Sequence, residues 1–75
     1  MTLCDMKVGD SAFIREILGE KSLCERLLDI GFVKGEGVKC VFKSPLGDPI
    51  AYMVRGAVFA LREEDARVVL AEIRE

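Results

Sequence analysis

From Val38 to Lys43 the chain alternates. Val38, Cys40 and Phe42 occupy one parity, Lys39, Val41 and Lys43 the other, a pattern that predicts a half-buried strand. Ile50, Tyr52 and Val54 alternate in the same way with Ala51, Met53 and Arg55. Ala57 to Leu61 reads as a further strand after the turn or bulge marked by Gly56. Near the N-terminus, Ser11–Leu18 is rich in apolar and β-branched residues and predicts a first strand, bounded by the turn Val8-Gly9-Asp10 and by Gly19. Its alternation is too irregular to name the buried face.

Helical spacing is clearest between Ser22 and Gly31. Leu23, Leu27 and Ile30 recur at that period, with Cys24 and Leu28 beside them. Ser22 followed by Glu25 three residues later predicts a capping box. Gly31 suits the left-handed residue that stops a helix, and Phe32 behind it can pack back on Leu27. The C-terminal tail carries both periods. Ala66, Val69, Leu70 and Ile73 fit a helix; Val69, Ala71 and Ile73 fit a strand. Periodicity by itself favours the helix.

Between two of the strands stands Pro45-Leu46-Gly47-Asp48-Pro49-Ile50. Proline fixes φ and cannot donate to a sheet ladder, Gly47 can supply a positive φ, and Asp48 can bond the local backbone. These residues predict a tight turn whose limits are pinned on both sides. The connections are short, and no repeat or low-complexity tract appears. Several short strands and one helix in so small a chain predict a small barrel, because closure removes exposed sheet edges.

The length, 75 residues, sets one domain spanning residues 1–75 with a small core, so a deep enclosed site would consume much of it. Hydrophobic residues make up 51% and charged residues 32%, which places the chain among folded proteins. No apolar run reaches the ~20 residues that span a bilayer. Met1-Thr2-Leu3-Cys4-Asp5 lacks the basic-then-apolar order of a signal peptide, so the expectation is a cytoplasmic protein without membrane insertion. The 11 basic side chains are scattered among 13 acidic ones, for a net charge of −2. A nucleic-acid partner needs clustered cations, so none is expected.

Candidate chemistry is sparse. There is no histidine, which removes the commonest general base and metal ligand. Ser11, Ser22 and Ser44 fall at strand starts, caps and turns, none in a nucleophile elbow. Gly31, Gly35 and Gly37 lack the spacing of a phosphate loop. Cys4, Cys24 and Cys40 are odd in number and widely spaced. They read as reduced thiols, with convergence on a soft metal as the alternative. Glu63, Glu64 and Asp65 read as a solvated helix start, with a weak hard-cation site as the alternative. Catalytic, cofactor and metal residues are therefore all expected to be none, and a binding module is favoured over an enzyme.

The order and spacing of Gly9, Arg26-Leu27-Leu28, Gly31-Phe32, Gly35, Val38, Pro45 to Ile50, Val54, Gly56, Ala60-Leu61-Arg62 and Ala66 resemble the FeoA family, small cytoplasmic proteins associated with bacterial ferrous-iron uptake. The likeness runs nearly end to end. It implies a mainly β fold: a small SH3-like β-barrel of about five strands, one α-helix inserted after the first strand, a short helical turn at Glu63–Ala66 and a closing strand at Val68–Ile73. It thereby assigns the ambiguous tail to a strand. It implies an accessory role, binding the cytoplasmic part of FeoB, a membrane iron permease with a GTP-binding domain. The fold also resembles the C-terminal domain of DtxR-type metal-dependent repressors. The alternatives are a metal- or ligand-sensing regulatory domain, and an SH3-like peptide binder or homo-oligomer. The expected partner surface combines the exposed side of the helix with the adjoining loop: Leu28, Phe32, Leu46 and Asp48.

Overall fold

A computed structural model describes residues 1–74. A 3₁₀ turn at Leu3–Asp5 precedes strand β1 (Ser11–Ile17), helix α1 (Lys21–Asp29), β2 (Gly37–Lys43), β3 (Ile50–Val54), β4 (Ala57–Leu61), helix α2 (Glu63–Ala66) and β5 (Val69–Ile73). The strands form one antiparallel sheet in the order β4-β3-β2-β1-β5. This is the expected SH3-like arrangement, with α1 after the first strand and a short helix before the last. The hydrogen-bonded ladder stops at β4 on one side and β5 on the other, so the barrel is rolled but not closed by strand pairing.

Two irregularities roll the sheet. The β1–β5 register shifts between Ile14 and Glu16, and the β2–β3 register shifts between Cys40 and Phe42. An extra residue on one strand bends it and increases its twist. β1 pairs β2 through Ser11–Phe13 and β5 from Ala12 to Ile17, so beyond the bend it leaves β2 and continues along β5 alone. Alternation then sorts the side chains: Val38, Cys40, Ile50, Tyr52 and Val54 are buried, as their spacing predicts. Phe42 breaks the pattern. Lying beyond the bulge, it is turned out to solvent.

The tail is a strand, against its helical period. Val69 and Ala71 face inward with Leu70 between them, and β5 completes the ladder along β1. Long-range pairing outweighs local spacing here, because an unpaired β1 would leave backbone groups without partners.

The helix starts one residue before Ser22, after Glu20, and no side chain caps it, so the expected Ser22–Glu25 box is not formed. Its C-terminus follows the prediction closely. Gly31 has φ +109°, its N–H donates to the Leu28 carbonyl at 3.1 Å, and the Phe32 N–H donates to the Leu27 carbonyl at 2.9 Å. That 6→1 and 5→2 pair is a Schellman stop. A Cβ at Gly31 would sit 2.9 Å from Arg55 Cδ and 3.4 Å from Val54 Cγ1, so the helix end is seated directly on the β3–β4 hairpin.

The core also recruits the N-terminal segment. Leu3 and Met6 are fully buried, and the buried Tyr52 hydroxyl donates to the Leu3 carbonyl at 2.9 Å. Asp5 holds the segment's turn by accepting from the Thr2 N–H at 2.9 Å. Among the described residues, no buried side-chain nitrogen or oxygen lacks a partner.

Candidate interaction surface

Helix α1 turns Leu27 into the core and Leu28 outward. Between α1, β1 and Leu70 a shallow groove of about 500 Å³ opens to solvent. Leu28, 48% exposed, stands on one wall, and the half-buried Ile17 and Leu70 contribute apolar surface over the fully buried Ile14. Arg15, Glu16 and Lys34 also line it. An apolar floor with mixed charges around it can take an apolar side chain from another protein and orient what surrounds it.

Phe32 departs from the expectation. It is fully buried below that groove, its ring edge-on to Phe59 with centroids 6.4 Å apart. The helix stop that fixes Gly31 and Phe32 turns this ring into the core, so it supports the groove from beneath and offers no contact surface.

Leu46 and Asp48 lie at the other end of β3. The chain reverses through Ser44–Pro49, where the Ser44 hydroxyl donates to the Pro49 carbonyl at 2.9 Å and the Gly47 N–H to the Ser44 carbonyl at 2.7 Å. Leu46, at the tip, is 95% exposed. Asp48 points back: its Oδ1 accepts from the Glu63 N–H at 3.0 Å, capping α2, whose own N-cap Arg62 makes no such bond. Five strand residues separate this turn from the helix end that holds Leu28, roughly 17 Å at ~3.4 Å per residue. The expected single surface is therefore two separate places, with Asp48 committed to the fold.

The acidic start of α2 is paired locally. Glu63 meets Arg67 at 2.8 Å, and Glu64 meets Arg62 at 3.8 Å, so the acidic start of α2 is balanced by arginines. Among the described residues no three His, Cys, Asp or Glu side chains gather as metal ligands do. Cys4 Sγ donates to the Glu63 carbonyl at 3.2 Å and Cys24 Sγ to the Gly19 carbonyl at 3.3 Å. Burial, reinforced by the nearby Glu63 charge, pushes the Cys4 thiol up; burial does the same to Cys40. Thiols held protonated are poor nucleophiles and poor ligands.

Arg55 was not legible as a special residue. It occupies φ +52°, beside Gly56 at +80°, in a two-residue hairpin turn of the type that matches strand twist. Its Nε lies 3.3 Å from Glu36 Oε1, tying the β3–β4 turn to the start of β2. The short gap between two alternating runs signalled the hairpin. The arginine in a position usually filled by Asn or Asp gave no such signal.

Comparison with known proteins agrees with this geometry. The FeoA domain family model matches residues 1–73. A Fe(2+) transport protein A/Fe(2+) transporter FeoB fusion protein of Porphyromonas gingivalis is 34% identical over 73 residues; the match covers 97% of this chain but only 9% of the fusion protein. The solution structure of the FeoA protein from Chlorobium tepidum superposes with a TM-score of 0.92 at 33% identity, covering 97% of this chain and 70% of that one. The Stenotrophomonas maltophilia FeoA, described as an SH3 domain protein and crystallised with zinc, gives 0.84 at 34% identity, covering 96% and 89%. A manganese-dependent transcriptional repressor shares the fold alone, with a TM-score of 0.90 at 14% identity over 99% of this chain and 36% of its own.

Proposed function

The chain belongs to the FeoA family, whose members serve Fe²⁺ transport, and from that premise we propose that it is a non-catalytic accessory module that binds the cytoplasmic part of a FeoB-type iron permease. The fusion relative carries the reading. One polypeptide there joins a segment like this chain to a transporter, and covalent linkage raises the effective concentration of two domains that work together. We place the action in the cytoplasm; no helix among the described residues is long and apolar enough to cross a membrane itself.

The contact we favour is the α1–β1 groove with Leu28, and the exposed Leu46 tip is a second, separate candidate. Phe32 and Asp48 act indirectly, holding the groove floor and α2. The metal-sensing alternative draws no support from the thiols, since Cys4 and Cys24 are spent on backbone carbonyls and Cys40 is buried.

The test is a titration of this protein against the purified cytoplasmic region of the permease. Saturable binding is expected, weakened by Leu28→Glu while the fold is retained by circular dichroism. No detectable binding by the wild type, together with unchanged iron uptake on deleting its gene, removes the proposal.

A further inference from the structure

We propose that β4 pairs antiparallel with β4 of a second copy of this chain, about a two-fold axis at Phe59, joining two sheets into one. β4 is an edge strand with none of the usual protection. Ala57-Val58-Phe59-Ala60-Leu61 contains no charge, no proline and no glycine, and edges are ordinarily blunted by such residues or by a covering segment. Beyond its ladder with β3, no residue of β4 enters a backbone hydrogen bond among the described residues.

The hairpin fixes which groups face outward. With Arg55 and Gly56 as its two-residue turn, Val54 and Ala57 form the hydrogen-bonded pair nearest the turn. Alternation then turns the N–H and C=O of Ala57, Phe59 and Leu61 toward β3, and those of Val58 and Ala60 to the open side. Val58 is 56% exposed.

A two-fold axis perpendicular to the sheet keeps each residue on its own face, so only registers that pair residues of the same parity are allowed. Centring the axis on Phe59 is the one such register that pairs all five residues. It sets Val58 opposite Ala60 of the second copy as a hydrogen-bonded pair, twice over, and uses every outward group of both. It sets Phe59 against its own counterpart as a closely spaced non-hydrogen-bonded pair. Phe59 is only partly buried and already lies edge-on to Phe32, so a second ring covers what the monomer leaves open. Aromatic cross-strand pairs are among the more stabilising.

Charge supports a second copy as the occupant. β4 is uncharged, so it meets itself without repulsion. The same register carries Arg55, at one end, toward Glu63 of the second copy, at the other. Each already holds an opposite charge, Glu36 and Arg67 respectively, so the new approach extends existing pairs into a network.

The experiment combines sedimentation equilibrium over a range of concentrations with amide hydrogen exchange. The wild type is expected to move from monomer to dimer mass, with the Val58 and Ala60 amides slowing in step while Phe59 is protected throughout. Val58→Pro deletes an outward donor and leaves the β3 ladder intact; Ala60→Lys puts a charge on the edge. Both are expected to stay at monomer mass, and Ala60→Lys decides should the proline variant unfold. A wild type that remains monomeric with fast exchange at Val58 and Ala60 overturns the proposal. So does a dimer that Ala60→Lys leaves intact, or protection of these amides that arises only when the permease fragment is added.

Discussion

Along β5, Ala71 donates to the Met1 carbonyl at 2.8 Å and Leu70 bridges Thr2, so the N-terminal segment lies over that edge of the sheet. Charged groups guard what is left: Glu72 pairs with Arg15 at 3.4 Å, and the Arg74 guanidinium stacks over Phe13 at 5.4 Å. Along β4, at the other edge, the described residues supply no covering segment, and the strand carries no charge. One sheet thus has an edge finished from within and an edge left apolar and open. The contrast teaches that the open edge is not simply what remains when a small sheet runs out of strands, since the same chain lays Met1 and Thr2 along its counterpart.

The largest effect is expected from attacking the finished edge. Leu3→Ala removes a fully buried side chain and should cost about 3 kcal/mol, read from the urea midpoint. Tyr52→Phe leaves the Leu3 carbonyl without its donor in the core and should cost about 2 kcal/mol by the same measurement.

Alkaline pH sharpens that second result. Burial raises Cys4 and Cys40 above the ordinary thiol value of 9.0, and raises Tyr52 well above the ordinary phenol value of 10.0. Well below pH 9.0 these groups are protonated folded or unfolded, and stability is insensitive to them. Above it the unfolded chain releases thiol protons that the folded chain retains, so stability falls, and Tyr52 steepens the fall above 10.0. Unfolding curves from pH 7 to 11 should show this onset, with the steeper part missing in Tyr52→Phe.

Between the two edges, Asp48→Ala should cost about 1 kcal/mol by uncapping α2, the link from β4 to β5. The smallest effect belongs to the open edge. Val58→Thr, in dilute monomer, should shift thermal unfolding by no more than about 0.5 kcal/mol. A large loss there would mean that β4 is covered within the monomer and would erase the contrast.

The Gly31 stop, the Pro45–Ile50 turn and the alternation of β3 are local matters, and there the reading succeeded. Two other local readings did not hold: the Ser22–Glu25 box is not formed, and the bulge after Cys40 turns Phe42 out of the β2 alternation. The tail failed on local grounds, since Val69, Leu70 and Ile73 suit two periods and only pairing with β1 chooses between them; likeness to a family supplied what spacing could not. Leu3 and Met6 carried no core signal, because their burial depends on a strand some 65 residues away in the chain reaching round to meet them. For the candidate surface, Leu28 was legible as the outward side of an amphipathic helix. Phe32 could be read two ways, packed back behind the Gly31 stop or on the partner surface, and the first is the one the fold adopts; Asp48 was misplaced because its partner at Glu63 is long-range.

The bond from Ala71 to Met1 has a bearing on how the molecule is made. Strands β2, β3 and β4 are joined by short turns and can assemble while the ribosome is still at work. Leu3 and Met6, by contrast, must wait unburied, since their seat exists only once Val69–Ile73 has left the exit tunnel. A message cut short before that point yields a product whose Leu3 and Met6 have nowhere to go, a natural mark for proteolytic clearance.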